Sequence, residues 1–181
     1  MHFTDEQVMV RDTVREFAKN EIEPRAAEID RTMEFPADNL RKMGELGFLG
    51  VPFPTEYGGG GLDTLSFALM MEELARVCGS TTLSVAAHCS LCCAPINLFG
   101  NEAQKKKYLP DLLNGKKFGS FCLSEPGSGS DAGAMTTIAK REGDFYILHG
   151  AKMWGTNGGY AGTYVVFAKT TPEAGSRGIS A

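Results

Sequence analysis

The chain changes character at Phe118-Gly-Ser-Phe-Cys-Leu-Ser124. Before this segment, apolar residues recur every three or four positions, which is typical of helices packed against a core. From it onward, short runs of aromatic and β-branched residues alternate with glycine-rich turns, which predicts strands. Helices followed by strands indicate an α+β protein with two segregated units. We expect an N-terminal all-α helical domain over 1–115 and part of an antiparallel β-domain over 116–181.

The helical part carries clear start and stop signals. Thr4 and Gln7 predict a capping box, Pro36 suits the start of a second helix that stops at Gly47, and Asn101 is a further N-cap. The apolar residues expected on buried helix faces are Val10, Val14, Phe17, Ala18, Leu40, Met43, Leu46, Phe67, Met70, Met71, Leu74 and Cys78.

Strands are expected in four segments of the second part. They are Phe118–Ser124, Met135–Lys140, Phe145–Leu148 and Tyr164–Ala168, each bounded by turn residues. The last residues, Ser176–Ala181, have the pattern of a strand that is beginning.

The composition excludes several classes of protein. Of 181 residues, 43% are hydrophobic and 22% charged, so the chain can bury a core and is not expected to be disordered. A net charge of −4 gives no reason to expect a nucleic-acid partner, and Lys105–Lys107 are interpreted as a solvated helix face. Five cysteines and a start without a secretory pattern predict a reducing compartment and no secretion.

One stretch, Val77–Asn101, has no charged residue. Its serines, threonines, His88 and Pro95 are too polar for an unbroken membrane span, so we expect no membrane partner. A helix over Ser80–Phe99, buried within the bundle and kinked at Pro95, fits better.

The loop Gly127–Ala132 and the two carboxylates beside and within it suggest chemistry but have simpler interpretations. Gly127–Ala132 satisfies the dinucleotide fingerprint, yet a strand pattern follows where a helix is required, so its backbone N–H groups are better suited to lining a phosphate. Glu125 and Asp131, the carboxylates of this loop, are expected to cap turns. Neither motif by itself defines a reaction.

The cysteines of His88-Cys89-Ser-Leu-Cys92-Cys93 share one helical face and could suggest a metal or redox site. No second pair of ligands occurs at a zinc-binding distance, so we expect buried thiols and no metal. A serine nucleophile between spaced glycines is also missing from the sequence.

The segment Cys122-Leu-Ser-Glu-Pro-Gly-Ser-Gly-Ser-Asp-Ala-Gly-Ala134 resembles the signature of the acyl-CoA dehydrogenase family at all thirteen positions. Three further segments are similar to that family and occur in its order. They are Pro54-Thr-Glu-Tyr-Gly-Gly59, Gly100-Asn-Glu-Ala-Gln-Lys-Lys-Lys-Tyr-Leu109 and Lys152-Met-Trp-Gly-Thr-Asn-Gly-Gly159.

The resemblance implies an FAD enzyme that desaturates a short-chain acyl-CoA, straight or branched, to the trans-2-enoyl-CoA. The α-hydrogen would leave as a proton and the β-hydrogen as a hydride, and the electrons would pass to an electron-transferring flavoprotein. It also implies a homotetramer in the bacterial cytoplasm or the mitochondrial matrix. The alternatives are an acyl-CoA oxidase, which passes electrons to O₂, and a non-catalytic helical interaction module.

By position in the matched motifs, the resemblance implies a cofactor site. Leu123 and Ser124 would donate hydrogen bonds to the flavin near N1 and O2, where reduction places negative charge, and Thr156 would donate to N5. Trp154 would pack beside the ring. The full set implied is Phe121, Cys122, Leu123, Ser124, Gly129, Ser130, Trp154, Gly155 and Thr156.

Two residues of the glycine- and serine-rich loop have a further implied role: Gly129 and Ser130 would approach the pyrophosphate, and Ser130 would also touch the acyl-CoA. Phe121, Ser124 and Gly155 stand where the family more often has Tyr, Thr and Ile, and Gly155 is expected to loosen a strand.

The resemblance places the acyl chain beside the uncharged helix, where Leu91 and Leu98 suggest a shallow pocket. It places the catalytic base in a C-terminal helical domain, so no catalytic residue is assigned in this chain. Residues 1–181 alone are therefore expected to be inactive.

Overall fold

The computed structural model describes residues 2–181, and within them every α-helix ends by Leu113. π-Helical turns at Ala18–Ile22 and Ala87–Cys93 make two pairs of helices continuous. The α-helices are α1 (Asp5–Phe17), α2 (Glu23–Thr32), α3 (Ala37–Glu45), α4 (Thr64–Ala75), α5 (Gly79–Ala86), α6 (Ala94–Phe99) and α7 (Glu102–Leu113).

Four of the seven α-helices within residues 2–181 begin at a side chain that caps the helix. The N–H of Gln7 donates to Oγ1 of Thr4 at 3.2 Å, and the N–H of Thr4 donates back to Oε1 of Gln7 at 3.0 Å, which confirms the capping box. Asn101 caps α7 and forms the same reciprocal pair with Gln104, both bonds being 2.9 Å. These caps satisfy N–H groups that a helix leaves without partners.

One apolar core lies among the helices, and it contains most of the side chains expected there. Leu46 is an exception: 57% of it is exposed, because α3 ends at Glu45 and Leu46 lies in the turn before Gly47 (φ 79°). Phe67 and Met71 are only partly buried against this core. The predicted residues that are buried are Val10, Val14, Phe17, Ala18, Leu40, Met43, Met70, Leu74 and Cys78.

The uncharged helical segment Gly79–Phe99 is buried on one face only, which corrects the expectation of a helix enclosed by the bundle. It is long and apolar enough to cross a membrane by length and composition, and 39% of its most apolar 18-residue stretch is buried. Leu91, Leu98 and Phe99 are 43%, 68% and 84% exposed. A π-helical turn, Ala87–Cys93, interrupts the α-helical pattern just before Pro95, which lies in the first turn of α6.

Two small sheets follow the helices, and their pairing is mixed. In one sheet, β1 pairs with β4 in parallel; in the other, the order is β3-β2-β5-β6, with β2 and β5 parallel and the remaining pairs antiparallel. The strands are β1 (Gly119–Cys122), β2 (Ile138–Glu142), β3 (Phe145–His149), β4 (Thr163–Val166), β5 (Ala168–Lys169) and β6 (Ile179–Ser180).

The expected order of an all-α part and then a β part is thus confirmed, but a purely antiparallel sheet was wrong. The parallel pairing of β1 and β4, in the register Gly119↔Thr163, requires a long crossover, which the chain between these strands supplies. Strand β2 also starts later than predicted, at Ile138. The backbone N–H groups of Thr136 and Thr137 donate to the carboxylate of Glu125 instead of joining a ladder.

Strand β1 packs against the π-helical turn Ala87–Cys93. The chain leaving β1 and the connection between β3 and β4 therefore meet beside that turn, and this is where the candidate site lies.

Candidate functional site

A cavity of about 190 Å³ lies where the helical turn, the end of β1 and the β3–β4 connection meet. Its walls are apolar except for two hydroxyl side chains and exposed backbone. The lining residues are Ala87, Leu91, Phe121, Leu123, Ser124, Met153, Trp154 and Thr156.

Most of the residues assigned by resemblance come together at this cavity. Phe121, Leu123, Ser124, Trp154 and Thr156 line it directly. Two others lie just behind the wall: a Cβ added to Gly155 would lie 3.6 Å from Sγ of Cys122.

Gly129 and Ser130 are placed elsewhere. Both lie on the exposed turn after Glu125, and neither lines the cavity. A Cβ added to Gly129 would meet nothing within 4 Å. This turn is open to a ligand that extends beyond the cavity, such as the phosphate end of a long cofactor.

Several hydrogen-bond donors at the cavity have no partner among residues 2–181. They are the backbone N–H groups of Leu123 and Ser124, which lie just beyond the end of β1, and the hydroxyls of Ser124 and Thr156. Partly enclosed N–H groups normally find an acceptor, so a ligand with oxygen or nitrogen acceptors on one edge would complete this wall. A flavin ring has such an edge, and the residues present fit it.

The two halves of the wall are joined through Lys152 and Met153. The ammonium of Lys152 donates to the carbonyl oxygen of Leu123 at 3.0 Å and to Oε1 of Glu125 at 2.8 Å. The N–H of Met153 donates to the carbonyl oxygen of Ser124 at 2.8 Å. These bonds hold the carbonyls of Leu123 and Ser124, while the N–H groups of the same two residues have no partner among residues 2–181.

Glu125 has a larger role than the turn cap expected of it. Its carboxylate also accepts the N–H and the hydroxyl of Thr136 at 2.6 and 2.8 Å and the N–H of Thr137 at 3.0 Å. Burial alone would raise the pKa of Glu125, but the hydrogen bonds from Lys152, Thr137 and Thr136 outweigh it and hold that pKa well below its usual range. Asp131 is exposed, and its carboxylate makes no hydrogen bond within the described residues.

Trp154 occupies an unusual position at the mouth of the cavity. Its φ is +60°, and the residue is 85% exposed. A bulky residue in the left-handed region is an outlier that persists only when its surroundings hold it there. The segment around Gly155 is a loop and a turn rather than the strand that was expected.

The three neighbouring cysteines are buried thiols, as expected. Sγ of Cys89 lies 3.4 Å from the carbonyl oxygen of Leu49, and Sγ of Cys93 lies 3.5 Å from Nε2 of His88. Burial raises the pKa of Cys92 to about 11 and raises those of Cys89 and Cys93. Among residues 2–181, no group of three or more His, Cys, Asp or Glu side chains is placed to hold a metal ion.

Sequence reasoning missed the residues that support the cavity. Glu125 was given only a local role, and Lys152, Met153 and Asn157 were quoted as parts of motifs without a function. Their partners lie about 10 to 70 positions away along the chain, so no local pattern reveals them. Their presence in the two matched motifs was the available signal.

Two protein-family models cover nearly the whole chain. The model "Acyl-CoA dehydrogenase, N-terminal domain" matches residues 4–116, and "Acyl-CoA dehydrogenase, middle domain" matches residues 120–181. The chain belongs to the acyl-CoA dehydrogenase family.

Individual relatives agree with this membership. The chain is 51% identical over 180 residues to the short-chain specific acyl-CoA dehydrogenase of Clostridium acetobutylicum. The match covers 99% of this chain and 48% of that relative. The chain therefore spans about half the length of the relative.

Chains in solved structures have the same fold. A chain in a structure described as the electron transferring flavoprotein of Acidaminococcus fermentans matches with a TM-score of 0.97 and 46% identity, over 99% of this chain and 47% of that one. An acyl-CoA dehydrogenase from Bacillus anthracis, complexed with FAD, matches with a TM-score of 0.87 and 42% identity, over 92% of this chain and 29% of that one.

Proposed function

We propose that this chain provides the cofactor-facing wall of an FAD-dependent acyl-CoA dehydrogenase, which converts a short-chain acyl-CoA, straight or branched, to its trans-2-enoyl-CoA. The observation that carries the proposal is the set of unpartnered donors on Leu123, Ser124 and Thr156 around one cavity. The short-chain specificity of the clostridial relative and the FAD bound by the Bacillus anthracis structure support the substrate class and the cofactor.

The chain's own residues would hold the flavin by its polar edge. The N–H groups of Leu123 and Ser124 would donate to the N1 and O2 side, and the hydroxyl of Thr156 to N5, while Trp154 and Phe121 cover apolar surface. When bound, FAD supplies the acceptor for the β-hydride. Oriented N–H donors that need no rearrangement suit the negative charge that follows.

Three further assignments remain part of the proposal. Cys122 and Gly155 lie behind the wall and would give it shape, and Gly129 and Ser130 would contact the pyrophosphate, with Ser130 also near the acyl-CoA. The open turn that carries the last two residues is compatible with that contact.

Leu91 is the residue we propose to limit the length of the acyl chain. It lines the cavity from the helical turn, whereas Leu98 lies outside the lining and is 68% exposed. A larger side chain at a pocket wall leaves less room for a ligand, which agrees with a short substrate.

The proton-abstracting base is not among the lining residues. None of them is an acid, a histidine or a lysine. These residues therefore bind and orient, and we propose that the base is supplied by a part of the enzyme other than residues 1–181.

We propose an electron-transferring flavoprotein as electron acceptor, a homotetramer as the assembled state, and a bacterial cytoplasmic or mitochondrial matrix location. The Acidaminococcus fermentans structure supports the first, and the five free cysteines support a reducing compartment. We also propose 1–115 and 116–181 as the domain limits, the change falling between Leu113 and Gly119.

The test is flavin content and anaerobic reduction in the longest natural chain that contains these residues. We expect a yellow protein that is bleached by butyryl-CoA under nitrogen and reoxidised slowly by air. Rapid reoxidation by O₂ would indicate an oxidase instead. A purified protein that binds no FAD would refute the proposal, and turnover that peaks at C8 or longer would refute the short-chain assignment.

A further inference from the structure

Gly119, the first residue of β1, has both backbone groups bound by side chains from distant parts of the chain. Its N–H donates to Nδ1 of His88 at 2.9 Å, and its carbonyl oxygen accepts from Nδ2 of Asn157 at 3.0 Å. His88 belongs to the π-helical turn, and Asn157 belongs to the β3–β4 connection.

These two side chains occupy the edge of β1 that has no strand beside it. The carbonyls of Phe118 and Cys122 accept N–H groups from the β4 side, from Thr163 and Phe167. Backbone groups alternate in direction along a strand, so those of Gly119 point the other way. His88 and Asn157 therefore satisfy groups that a third strand would otherwise pair.

Asn157 joins three elements with one amide group. Its Nδ2 also donates to the carbonyl oxygen of Ser84 in α5 at 3.0 Å. The residue is buried with φ +66°, a conformation that Asn tolerates better than most side chains. The loop is tied to β1 a second time, because Oγ of Ser120 donates to the carbonyl oxygen of Thr156 at 2.8 Å.

His88 is held in one tautomer. Because the N–H of Gly119 can only donate, Nδ1 is the bare acceptor nitrogen and the proton is on Nε2, 3.5 Å from Sγ of Cys93. The ring is fully buried, and burial lowers the pKa of His88 to about 4, so it stays neutral.

This arrangement also requires glycine at its centre. A Cβ added to Gly119 would lie 2.5 Å from both Cβ and Sγ of Cys92 and 3.4 Å from Nδ1 of His88. The strand could not approach the helix this closely with any side chain.

We propose that His88 and Asn157 are positioning residues that set the geometry of the proposed flavin site through Gly119. His88 follows Ala87 in the chain, Asn157 follows Thr156, and Gly119 is two residues before Phe121. The helical turn, the β3–β4 connection and β1 each contribute to the cavity. In each of them, the residue that makes these hydrogen bonds is within two positions of a residue that lines the cavity. The expected change in FAD binding rests on the proposed function, whereas the expected change in the mobility of the Trp154 loop does not.

The test uses pairs of variants that separate this contact from folding. Asn157→Asp keeps the size of the side chain but places a carboxylate against two carbonyl oxygens, and Asn157→Gly removes the amide while tolerating the positive φ. His88→Leu removes the acceptor, whereas His88→Asn offers an oxygen in place of Nδ1. Asn20→Asp, at an exposed helical position, controls for the added charge.

Two readouts distinguish positioning from general stability. The first readout is the steady-state fluorescence anisotropy of residues 1–181 without FAD. Trp154 is the single tryptophan of this sequence, so the signal reports directly on the loop. The dissociation constant for FAD is measured in the longest natural chain, and far-UV circular dichroism confirms folding.

We expect Asn157→Asp, Asn157→Gly and His88→Leu to lower the Trp154 anisotropy and weaken FAD binding by at least about 10-fold, as expected when a site is displaced. His88→Asn and Asn20→Asp should stay near wild type. Variants that fold, keep the Trp154 anisotropy of wild type and bind FAD within twofold of wild type would overturn the proposal. If Asn157→Asp fails to fold, the result for Asn157→Gly decides whether the proposal stands. Failure of the wild type to bind FAD would refute the proposed function alone, because the anisotropy comparison still tests the contact.

Discussion

The ammonium of Lys152 lies 2.8 Å from Oε1 of Glu125, and the two side chains are only 13% and 3% exposed. An ion pair this buried is costly to form, since both charges leave water. Here the cost is offset by further hydrogen bonds to both groups, from Thr136 and Thr137 to the carboxylate and from Lys152 to the carbonyl of Leu123. The pair connects the loop after β1 to the loop after β3, and both loops contribute residues to the cavity wall.

Replacing Glu125 by Gln should lower the free energy of unfolding by about 3–5 kcal/mol at pH 7, because it leaves the charge of Lys152 buried without a partner. Urea denaturation measures this change. Glu142→Gln is the matched control: its partner Lys140 lies 3.4 Å away, both side chains are at least half exposed, and a loss within about 0.5 kcal/mol is expected.

The same carboxylate should make stability depend on pH in a defined window. The pKa of Glu125 is depressed in the folded state, so its stabilisation is fully present above its unfolded pKa of about 4.3 and is lost as the pH falls below that value. Wild type should therefore lose stability more steeply than Glu125→Gln between about pH 5 and pH 2. Parallel curves for the two proteins would show that folding does not lower the pKa of this carboxylate.

Thr156→Val tests the hydroxyl at the cavity. Val has the same shape but no donor, so if Thr156 donates to the flavin, its loss should slow reduction of bound FAD by roughly 10²–10³-fold while acyl-CoA binding is retained. Stopped-flow reduction and equilibrium titration in the longest natural chain separate the two effects. Thr171→Val, at an exposed position, serves as control. An unchanged reduction rate would remove Thr156 from the site.

Two glycines of the site should respond in opposite ways to alanine. At Gly155 an added Cβ would make ordinary contacts of 3.4 to 3.8 Å, so Gly155→Ala should stabilise the protein by about 0.4–1 kcal/mol. At Gly119 the added Cβ would overlap Cys92 at 2.5 Å, so Gly119→Ala should destabilise it by about 1–3 kcal/mol. Thermal unfolding of the two variants beside wild type measures both signs, and destabilisation by Gly155→Ala would contradict the loop geometry.

The local features of the fold were predictable because their causes are local. Thr4 and Asn101 cap helices through residues three positions away, and the aromatic and aliphatic run Phe145–His149 pairs with β2, its neighbour along the chain. The parallel pairing of β1 with β4 was not predictable. The direction of a strand partner depends on the path of the intervening chain, which short patterns do not record.

The candidate site divides in the same way. The resemblance pointed to Phe121, Ser124 and Thr156 because all three belong to matched motifs, and the three residues line one cavity. The residues that orient them, such as Lys152 and Asn157, act through hydrogen bonds to carbonyls 29 and 38 positions away. A sequence pattern does not show which carbonyl a side chain will reach.

The cysteines should be protected in proportion to their burial. Cys89, Cys92 and Cys93 are buried with raised pKa values, so at pH 8 they are neutral thiols and should not react with a thiol reagent until the protein unfolds. Cys122 is half-buried and should react first. Thiol titration without and with urea counts the cysteines that react in the folded and in the unfolded protein. Stoichiometric zinc or iron in the purified protein would overturn the interpretation of the three buried residues as packing thiols.

Residues 1–181 alone should not catalyse turnover. The cavity is lined by no group that could remove a proton, and loss of a general base removes a contribution of typically 10²–10⁴-fold. Strand β3 lies at the edge of its sheet with every residue exposed, and Phe145 and Leu148 are 75% and 51% exposed, so self-association through this edge is also expected. Bound flavin, butyryl-CoA turnover with an artificial acceptor, and light scattering test these expectations together. Stoichiometric FAD with turnover by this chain would show that one of its own residues acts as the base, and a monodisperse monomer would show that the edge of β3 is protected.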